Sequence, residues 1–180
     1  LGLVVTGYAV FILGITRLLS PAAVIVLLAA LVIIASAGWL REFPLVPLKS
    51  SFRSVWDRPA SILLGVLLLT GILLTLTPEI GKDALIYHLA VPKLYLLHQG
   101  FFLIPGNVFA GYPLLGEMHY LLALFLQDDI LARAMHYAVL CGLLIGIGLF
   151  TQFVMREQAF PALSMLIFAS TPSVFFVSHM

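Results

Sequence analysis

Five apolar segments constrain this chain more than any other feature of its sequence. They cover about residues 1–16, 21–40, 59–77, 131–155 and 159–178. A helix needs about 20 residues to cross a bilayer, and each segment reaches or approaches that length. Lipid offers no partners to backbone N–H and C=O groups, so each segment is predicted to be a transmembrane helix.

The composition supports lipid as the solvent. The 180 residues are 62% hydrophobic and 9% charged, whereas an average soluble domain is about 45–50% apolar and about 25% charged. A water-soluble fold would leave large apolar patches exposed. The predicted fold class is therefore all-α, a polytopic bundle of about five spans forming one transmembrane domain over residues 1–180. The net charge of +1 excludes a basic patch for nucleic acid.

The distribution of Lys and Arg predicts the orientation in a cell membrane. The linker 41–58 carries four basic residues and is expected to be cytoplasmic by the positive-inside rule. The loop 78–130 then faces the periplasm or exterior. Because the chain begins at Leu1 and ends within an apolar run at Met180, we expect it to be a fragment of a longer protein.

The outer loop 78–130 contains most of the candidate functional residues. It is much longer than an ordinary connection, and long loops are often functional. Its apolar runs, 83–98 and 118–127, are too short to span and are predicted to be interfacial helices. In the later segments, Gly142, Gly146 and Gly148 indicate close helix packing, and Pro172 predicts a kink.

Asp83, Tyr87 and His88 form the first candidate cluster. In an α-helix Asp83 and Tyr87 share a face, and His88 lies about 100° further round. Asp83 could accept a proton from an attacking hydroxyl or bind a divalent cation. A simpler interpretation makes Asp83 a solvated acid of the first helical turn, where the helix dipole favours it.

Glu117, Lys82 and Lys93 complete the set of candidates. Glu117 follows a turn forced by Gly and Pro and could face Asp83 across the loop, or it is simply an acid at a helix start. Lys82 and Lys93 could bind a phosphate or be ordinary interfacial lysines. The spacings of the histidines match no tight metal or haem motif.

A resemblance to a known family rests on these same residues. The main matching stretch is Asp83-Ala84-Leu85-Ile86-Tyr87-His88-Leu89-Ala90-Val91-Pro92-Lys93-Leu94-Tyr95. Further matching residues follow it: Gly100-Phe101-Phe102, Pro105, Tyr112-Pro113, Glu117-Met118 and the run from Gln127 to His136. Over roughly residues 60–155 the chain resembles the first outer loop of bacterial GT-C-fold glycosyltransferases, which are similar to dolichyl-phosphate-mannose–protein mannosyltransferases. The core of the resemblance is an Asp-x-x-x-Tyr-His-Leu-x-x-Pro string.

The resemblance implies an inverting transfer of a hexosyl or pentosyl group from a polyprenyl-phosphate carrier at the outer membrane face. It implies that Asp83 acts as the base, or holds a divalent metal where one is used. Tyr87 and His88 would line the same pocket, and Glu117 is a second candidate acid. Two departures stand against it: two or three predicted spans precede the loop instead of one, and Lys82 and Ala84 flank Asp83 where some relatives have adjacent acids.

Two other functional classes stay open. A transporter or flippase predicts broken helices and polar groups at the bilayer midplane, and the apolar segments carry almost no charge. A non-catalytic membrane scaffold predicts that no single acid of the outer loop matters for function. The expected partners are membrane lipids and, for the transferase, the polyprenyl-phosphate sugar; the sequence does not identify the sugar, the acceptor or the oligomeric state.

Overall fold

The computed structural model describes residues 2–42, 57–111, 115–126, 128–155 and 160–177, and every regular element within these ranges is helical. This confirms the predicted all-α class. The α-helices are α1 (Gly2–Ile15), α2 (Pro21–Glu42), α3 (Asp57–Thr75), α4 (Ala90–Leu97), α5 (Glu117–Leu126), α6 (Asp129–Met155), α7 (Pro161–Ala169) and α8 (Pro172–Val177). A π-helical turn lies at Ala84–His88 and a 3₁₀ turn at Val108–Gly111.

Within the described ranges, α3 and α6 are long and apolar enough to cross a membrane, with 19 and 27 residues. The helix α1 has 14 residues and is shorter than a span, whereas α2 has 22 residues, of which Pro21–Ile34 form a shorter apolar stretch. The described structure therefore supports two spanning helices where the sequence predicted about five. The two short outer-loop helices predicted from the apolar runs correspond to α4 and α5.

The fifth predicted span, 159–178, is not one kinked helix. The structure divides it into α7 and α8, with Ser170 and Thr171 between them. Pro172 has no N–H, and its ring would clash with the carbonyl four residues earlier, so α7 cannot continue through it. At the end of α7, the N–H of Ser170 donates to the carbonyl of Leu166 at 2.8 Å, and the N–H of Thr171 donates to the carbonyl of Phe168 at 3.2 Å.

The chain divides into two compact units. The first comprises Leu1–Leu45 with Glu79–Ala132, and the second comprises Val46–Pro78 with Arg133–Met180. Almost all of the predicted outer loop belongs to the first unit. Most of the linker that carries the orientation argument, at 43–56, lies outside the described residues.

In the first unit, α5 packs on both α4 and α1, and α1 packs on α2. Short apolar helices can bury their faces only against each other, which explains this arrangement. The imidazole Nε2 of His119 in α5 lies 2.8 Å from the carbonyl oxygen of Leu3 in α1. The buried core consists of Val10, Leu19, Val24, Val91, Tyr95, Met118, Leu121 and Leu122.

Gly14 allows the loop after α4 to lie directly against α1. The N–H of Phe101 donates to the carbonyl of Gly14 at 3.0 Å. A Cβ atom at Gly14 would lie 2.2 Å from atoms of the Phe101 ring. Any larger residue at this position would displace the Phe101 ring, so the glycine is needed for this close contact between the loop and α1.

In the second unit, α3 packs on α7, and α6 shares a buried cluster with both. The Tyr137 hydroxyl of α6 donates to the carbonyl of Leu68 in α3 at 2.7 Å. Asp57, only 3% exposed, accepts a hydrogen bond from the N–H of Ala162 at 3.1 Å. That N–H is one of the four at the start of α7 that have no partner within the helix, so Asp57 caps a neighbouring helix.

The packing role predicted for the glycines of α6 holds at one position. A Cβ at Gly148 would lie 3.1 Å from the sulfur of Met165 in α7. At Gly142 and Gly146, no described atom lies within 4 Å of such a Cβ. Gly148 therefore permits close approach of α7, and the prediction is wrong for Gly142 and Gly146 within the described structure.

Candidate functional site

The stretch from Asp83 to His88 forms a π turn instead of the α-helix assumed from the sequence. The N–H of Leu89 donates to the carbonyl of Ala84, five residues earlier, at 2.9 Å. A continuous α-helix would need an N–H at Pro92 to bond the carbonyl of His88, and the proline ring would clash with that carbonyl. The α-helical spacing predicted for Asp83, Tyr87 and His88 is therefore wrong. Single π turns are frequent at functional sites.

Asn107 holds this π turn from outside. Its side-chain amide donates to the carbonyl of Ile86 at 3.1 Å, and its amide oxygen accepts the N–H of Phe109 at 3.1 Å. The Phe109 ring then stacks on Tyr87, with centroids 4.7 Å apart and planes at 19°. The sequence analysis did not identify Asn107. Its only local signal was the Gly106-Asn107 pair, which is typical of a turn.

The side chains of His88 and Glu117 are in direct contact. Nδ1 of His88 lies 2.5 Å from Oε1 of Glu117, although the residues are 29 positions apart. The Glu117 side chain is 10% exposed and that of His88 is 35% exposed. The Tyr87 ring lies 4.0 Å from the imidazole, measured between centroids. Of the predicted site residues, the structure thus brings Tyr87, His88 and Glu117 together.

The charge of Glu117 also affects the next turn of α5. Burial and the negative charge of Glu117 raise the pKa of Tyr120 to about 12. The phenol of Tyr120 is therefore neutral at every physiological pH. It adds a neutral hydroxyl group, and no charge, to the surroundings of the His88–Glu117 pair.

Asp83 and Lys82 lie on the exposed side of the segment. Asp83 occupies the N-cap position of the π turn but makes no side-chain capping bond. Among the described residues, no hydrogen bond or ion pair joins Asp83 to Tyr87, His88 or Glu117. One of the two interpretations of Glu117 from the sequence had it facing Asp83, whereas in the structure Glu117 contacts His88.

An apolar groove of about 650 Å³ lies along α4. That volume is within the usual range of small-molecule sites, about 300–1,000 Å³. Lys93, Asp128 and Asp129 supply its polar edge, while Lys82 is not part of it. One oxygen of Asp128 already accepts the N–H groups of Ile130 and Leu131, at 3.0 and 3.4 Å. The apolar walls are Leu85, Leu89, Ala90, Leu96, Leu97, Leu124 and Phe125.

The described residues contain no cluster of metal-ligating side chains. Nowhere in the ranges that the structure covers do three or more His, Cys, Asp or Glu side chains converge in a way that could hold one. Ca²⁺ takes most of its oxygen ligands from the protein, whereas Mg²⁺ is usually bound through one or two carboxylates together with water and substrate phosphates. Asp83, the predicted metal ligand, belongs to no cluster of three or more ligands among the described residues.

Comparisons with protein-family models, with curated proteins and with solved structures found no match to this chain.

Proposed function

We propose that this chain is part of a membrane glycosyltransferase that moves a sugar from a polyprenyl-phosphate carrier to an acceptor at the outer membrane face, with inversion. The observation that carries the proposal is the groove along α4. It combines leucine-rich walls with the cationic side chain of Lys93, which lines the groove together with Asp128 and Asp129. A lipid-linked sugar phosphate presents the same combination, an apolar chain joined to an anion.

The membrane location is supported by where the apolar side chains of α3 and α6 lie. Only 22% of the most apolar stretch of α3 is buried, and only 17% of the most apolar stretch of α6. The core helix of a soluble protein would be mostly buried, whereas a helix that faces lipid exposes its apolar side chains. Leu69 and Leu73 of α3, and Leu143 and Phe150 of α6, are each at least half exposed.

The donor is proposed to lie with its isoprenoid chain against the leucines of the groove and its phosphate at Lys93. Burial of apolar surface stabilises the chain by about 25 cal/mol per Å². A lysine adds a charge-assisted hydrogen bond to the phosphate. Lys82, the other lysine predicted to meet the phosphate, lies outside the groove and is not assigned this role.

The proposed reaction needs one proton acceptor. The hydroxyl of the acceptor attacks the anomeric carbon, the bond from that carbon to the phosphate oxygen breaks, and polyprenyl phosphate leaves with the electron pair. The hydroxyl proton must pass to a side chain held within hydrogen-bonding distance. The resemblance assigns this proton to Asp83.

One observation favours a transporter as the second candidate. The break at Ser170 and Thr171 between α7 and α8 is of the kind found in transporters with discontinuous helices. A transporter would move a solute or lipid without changing it. The transferase would consume the lipid-linked donor, so the two candidates differ in their products.

The test uses the full-length protein in its native membrane. Lys93→Gln is compared with Lys82→Gln, and Asp83→Asn with Glu42→Gln at the end of α2. At equal protein levels, mass spectrometry follows the envelope glycans and the lipid-linked sugars. A hydrogen bond to a charged group contributes about 1.5–3 kcal/mol, so we expect the apparent donor KM of Lys93→Gln to rise about tenfold or more, with Lys82→Gln near wild type.

Loss of one glycan together with accumulation of its lipid-linked donor would support the transferase. Unchanged glycans in both Lys93→Gln and Asp83→Asn, with the protein present, would contradict it. A change in solute or lipid distribution without a change in glycans would favour the transporter.

A further inference from the structure

We infer that Nε2 of His88 is the atom that accepts the acceptor's proton, and that Glu117 is the residue that positions it. This inference rests on the proposed transferase function. It assigns the base to His88, where the resemblance assigned it to Asp83.

The contact between the two side chains determines which imidazole nitrogen is available. A carboxylate only accepts hydrogen bonds, so the 2.5 Å contact from Glu117 Oε1 places the proton of a neutral imidazole on Nδ1. The lone pair is then on Nε2. Among the described residues, no hydrogen bond involves Nε2 of His88, and the side chain is 35% exposed. The hydroxyl of the acceptor is proposed to meet this atom.

The elements around His88 hold the ring in place. His88 ends the π turn whose Ile86 carbonyl is bonded by Asn107. The neighbouring Tyr87 is stacked on Phe109. Glu117 is at the first residue of α5, whose next residue, Met118, is 1% exposed in the core of the first unit. A base that is held in one orientation loses little entropy when the reactants meet.

Asp83 lacks these features. Its carboxylate is exposed and makes no capping bond. No described group orients it towards a common point with Tyr87, His88 or Glu117. A nucleophile or base that works in an enzyme is normally oriented by a further group, as Glu117 orients His88.

The step balances in atoms and charge. The acceptor O–H proton moves to Nε2 as the oxygen forms its bond to the anomeric carbon. The bond between that carbon and the phosphate oxygen breaks, and the electron pair leaves on polyprenyl phosphate. His88 becomes an imidazolium, and the Glu117 carboxylate balances the new charge, as the buried carboxylate does in a serine protease triad.

The experiment uses the purified full-length protein in lipid vesicles with a lipid-linked sugar donor. General base catalysis contributes about 10²- to 10⁴-fold, so we expect kcat of His88→Ala to fall by that factor with little change in donor KM. Imidazole added to the buffer should restore part of the lost rate. Glu117→Gln keeps an oxygen for Nδ1 but not the charge, and should lower kcat less than His88→Ala while leaving donor KM unchanged.

Two variants serve as comparisons. His98→Ala removes an exposed histidine whose Nδ1 bonds the Leu94 carbonyl of its own helix, at 3.0 Å, and whose ring packs on Phe102, with centroids 4.1 Å apart; it should leave kcat unchanged. His88→Asn keeps a side-chain N–H for Glu117 but has no basic nitrogen. It should be as inactive as His88→Ala, and it replaces that variant if the alanine protein does not reach the membrane.

The outcomes separate the inference from the proposed function. An active His88→Asn, or a His88→Ala that imidazole does not rescue while Asp83→Asn is inactive, would overturn the inference and leave the transferase intact. Absence of sugar transfer by the wild-type protein would contradict the proposed function itself, before any variant is measured.

Discussion

Both compact units bond polar side chains to backbone groups, and the first unit adds a paired imidazole and carboxylate. In the second unit, Tyr137 and Asp57 each bond a backbone group of a neighbouring helix, Leu68 and Ala162 respectively. In the first unit, the His88–Glu117 pair joins one side chain to another and leaves a ring nitrogen available. In a chain this apolar, polar groups bonded to backbone mainly stabilise helix packing. A paired carboxylate and imidazole with one atom left over can carry chemistry.

The largest effect on stability is expected when one glycine of the first unit is compared with one of the second. We expect Gly14→Ala to destabilise the protein by up to about 3 kcal/mol, because an added methyl in a packed site costs about 1–3 kcal/mol and its Cβ would lie 2.2 Å from the Phe101 ring. Gly65→Ala in α3 is the matched control, since no described atom lies within 4 Å of its added Cβ. Thermal unfolding in detergent measures both; equal midpoints would contradict the close approach at Gly14.

The cap in the second unit should have the next largest effect. Asp57→Ala leaves the N–H of Ala162 buried without a partner, which costs about 1–3 kcal/mol. Ser61→Ala, one turn further along α3, removes a hydroxyl that bonds only the Asp57 carbonyl of its own helix, at 2.8 Å, and should cost much less. The comparison uses unfolding midpoints in detergent. If transferase activity is found, it should survive Asp57→Ala wherever the protein stays folded, because the role of Asp57 is structural.

A smaller loss of folding stability is expected when Tyr137 is replaced. Tyr137→Phe removes the hydrogen bond to the Leu68 carbonyl but keeps the ring in the core, so the expected loss is about 0.5–1.5 kcal/mol. Tyr8→Phe, at a side chain that is 55% exposed, provides the reference for an exposed phenol. A Tyr137→Phe protein as stable as Tyr8→Phe would show that this bond does not hold α6 to α3.

The smallest expected effect on stability is the pH-dependent contribution of Tyr120 in the first unit. Its pKa is raised to about 12 by burial and by Glu117, whereas a tyrosine in an unfolded chain ionises near 10. Its neutral phenol therefore contributes stability in full below about pH 10, and this contribution is lost as the pH rises towards 12. Phenolate absorbance of wild type against Tyr120→Phe should show one tyrosine fewer in the last part of the titration. If that phenol titrates near 10 in the folded protein, it is not buried beside Glu117.

The sequence predicted the helical class because an apolar run in lipid has few alternatives to a helix. It did not predict that residues 159–178 form two helices, since the effect of Pro172 depends on whether neighbouring groups satisfy the freed carbonyls. In the outer segment, the sequence identified His88 and Glu117 as separate candidates. Their pairing across 29 residues depends on how α4 packs against α5, which local periodicity does not encode.

The spacing error at the site has the same origin. The predicted spacing supposes an ideal α-helix from Asp83 onwards and does not include the effect of Pro92 on the preceding turn. The proline disfavours an α-helical turn four residues earlier, and Asn107 supplies a bond to the widened turn from a distant loop. Asn107 was missed because an asparagine next to a glycine predicts only a turn, and its second partner lies 21 residues away.

The Asp57–Ala162 bond also has a consequence for how the chain is made. Its two partners are 105 residues apart, and chains grow at about 5–20 residues per second, so α3 is synthesised about 5–20 seconds before the N–H that its carboxylate will bond. During that interval the carboxylate of Asp57 must stay hydrated. The start of α3 can therefore settle into its buried position only after α7 has emerged, and the final packing of the second unit is a late event in biogenesis.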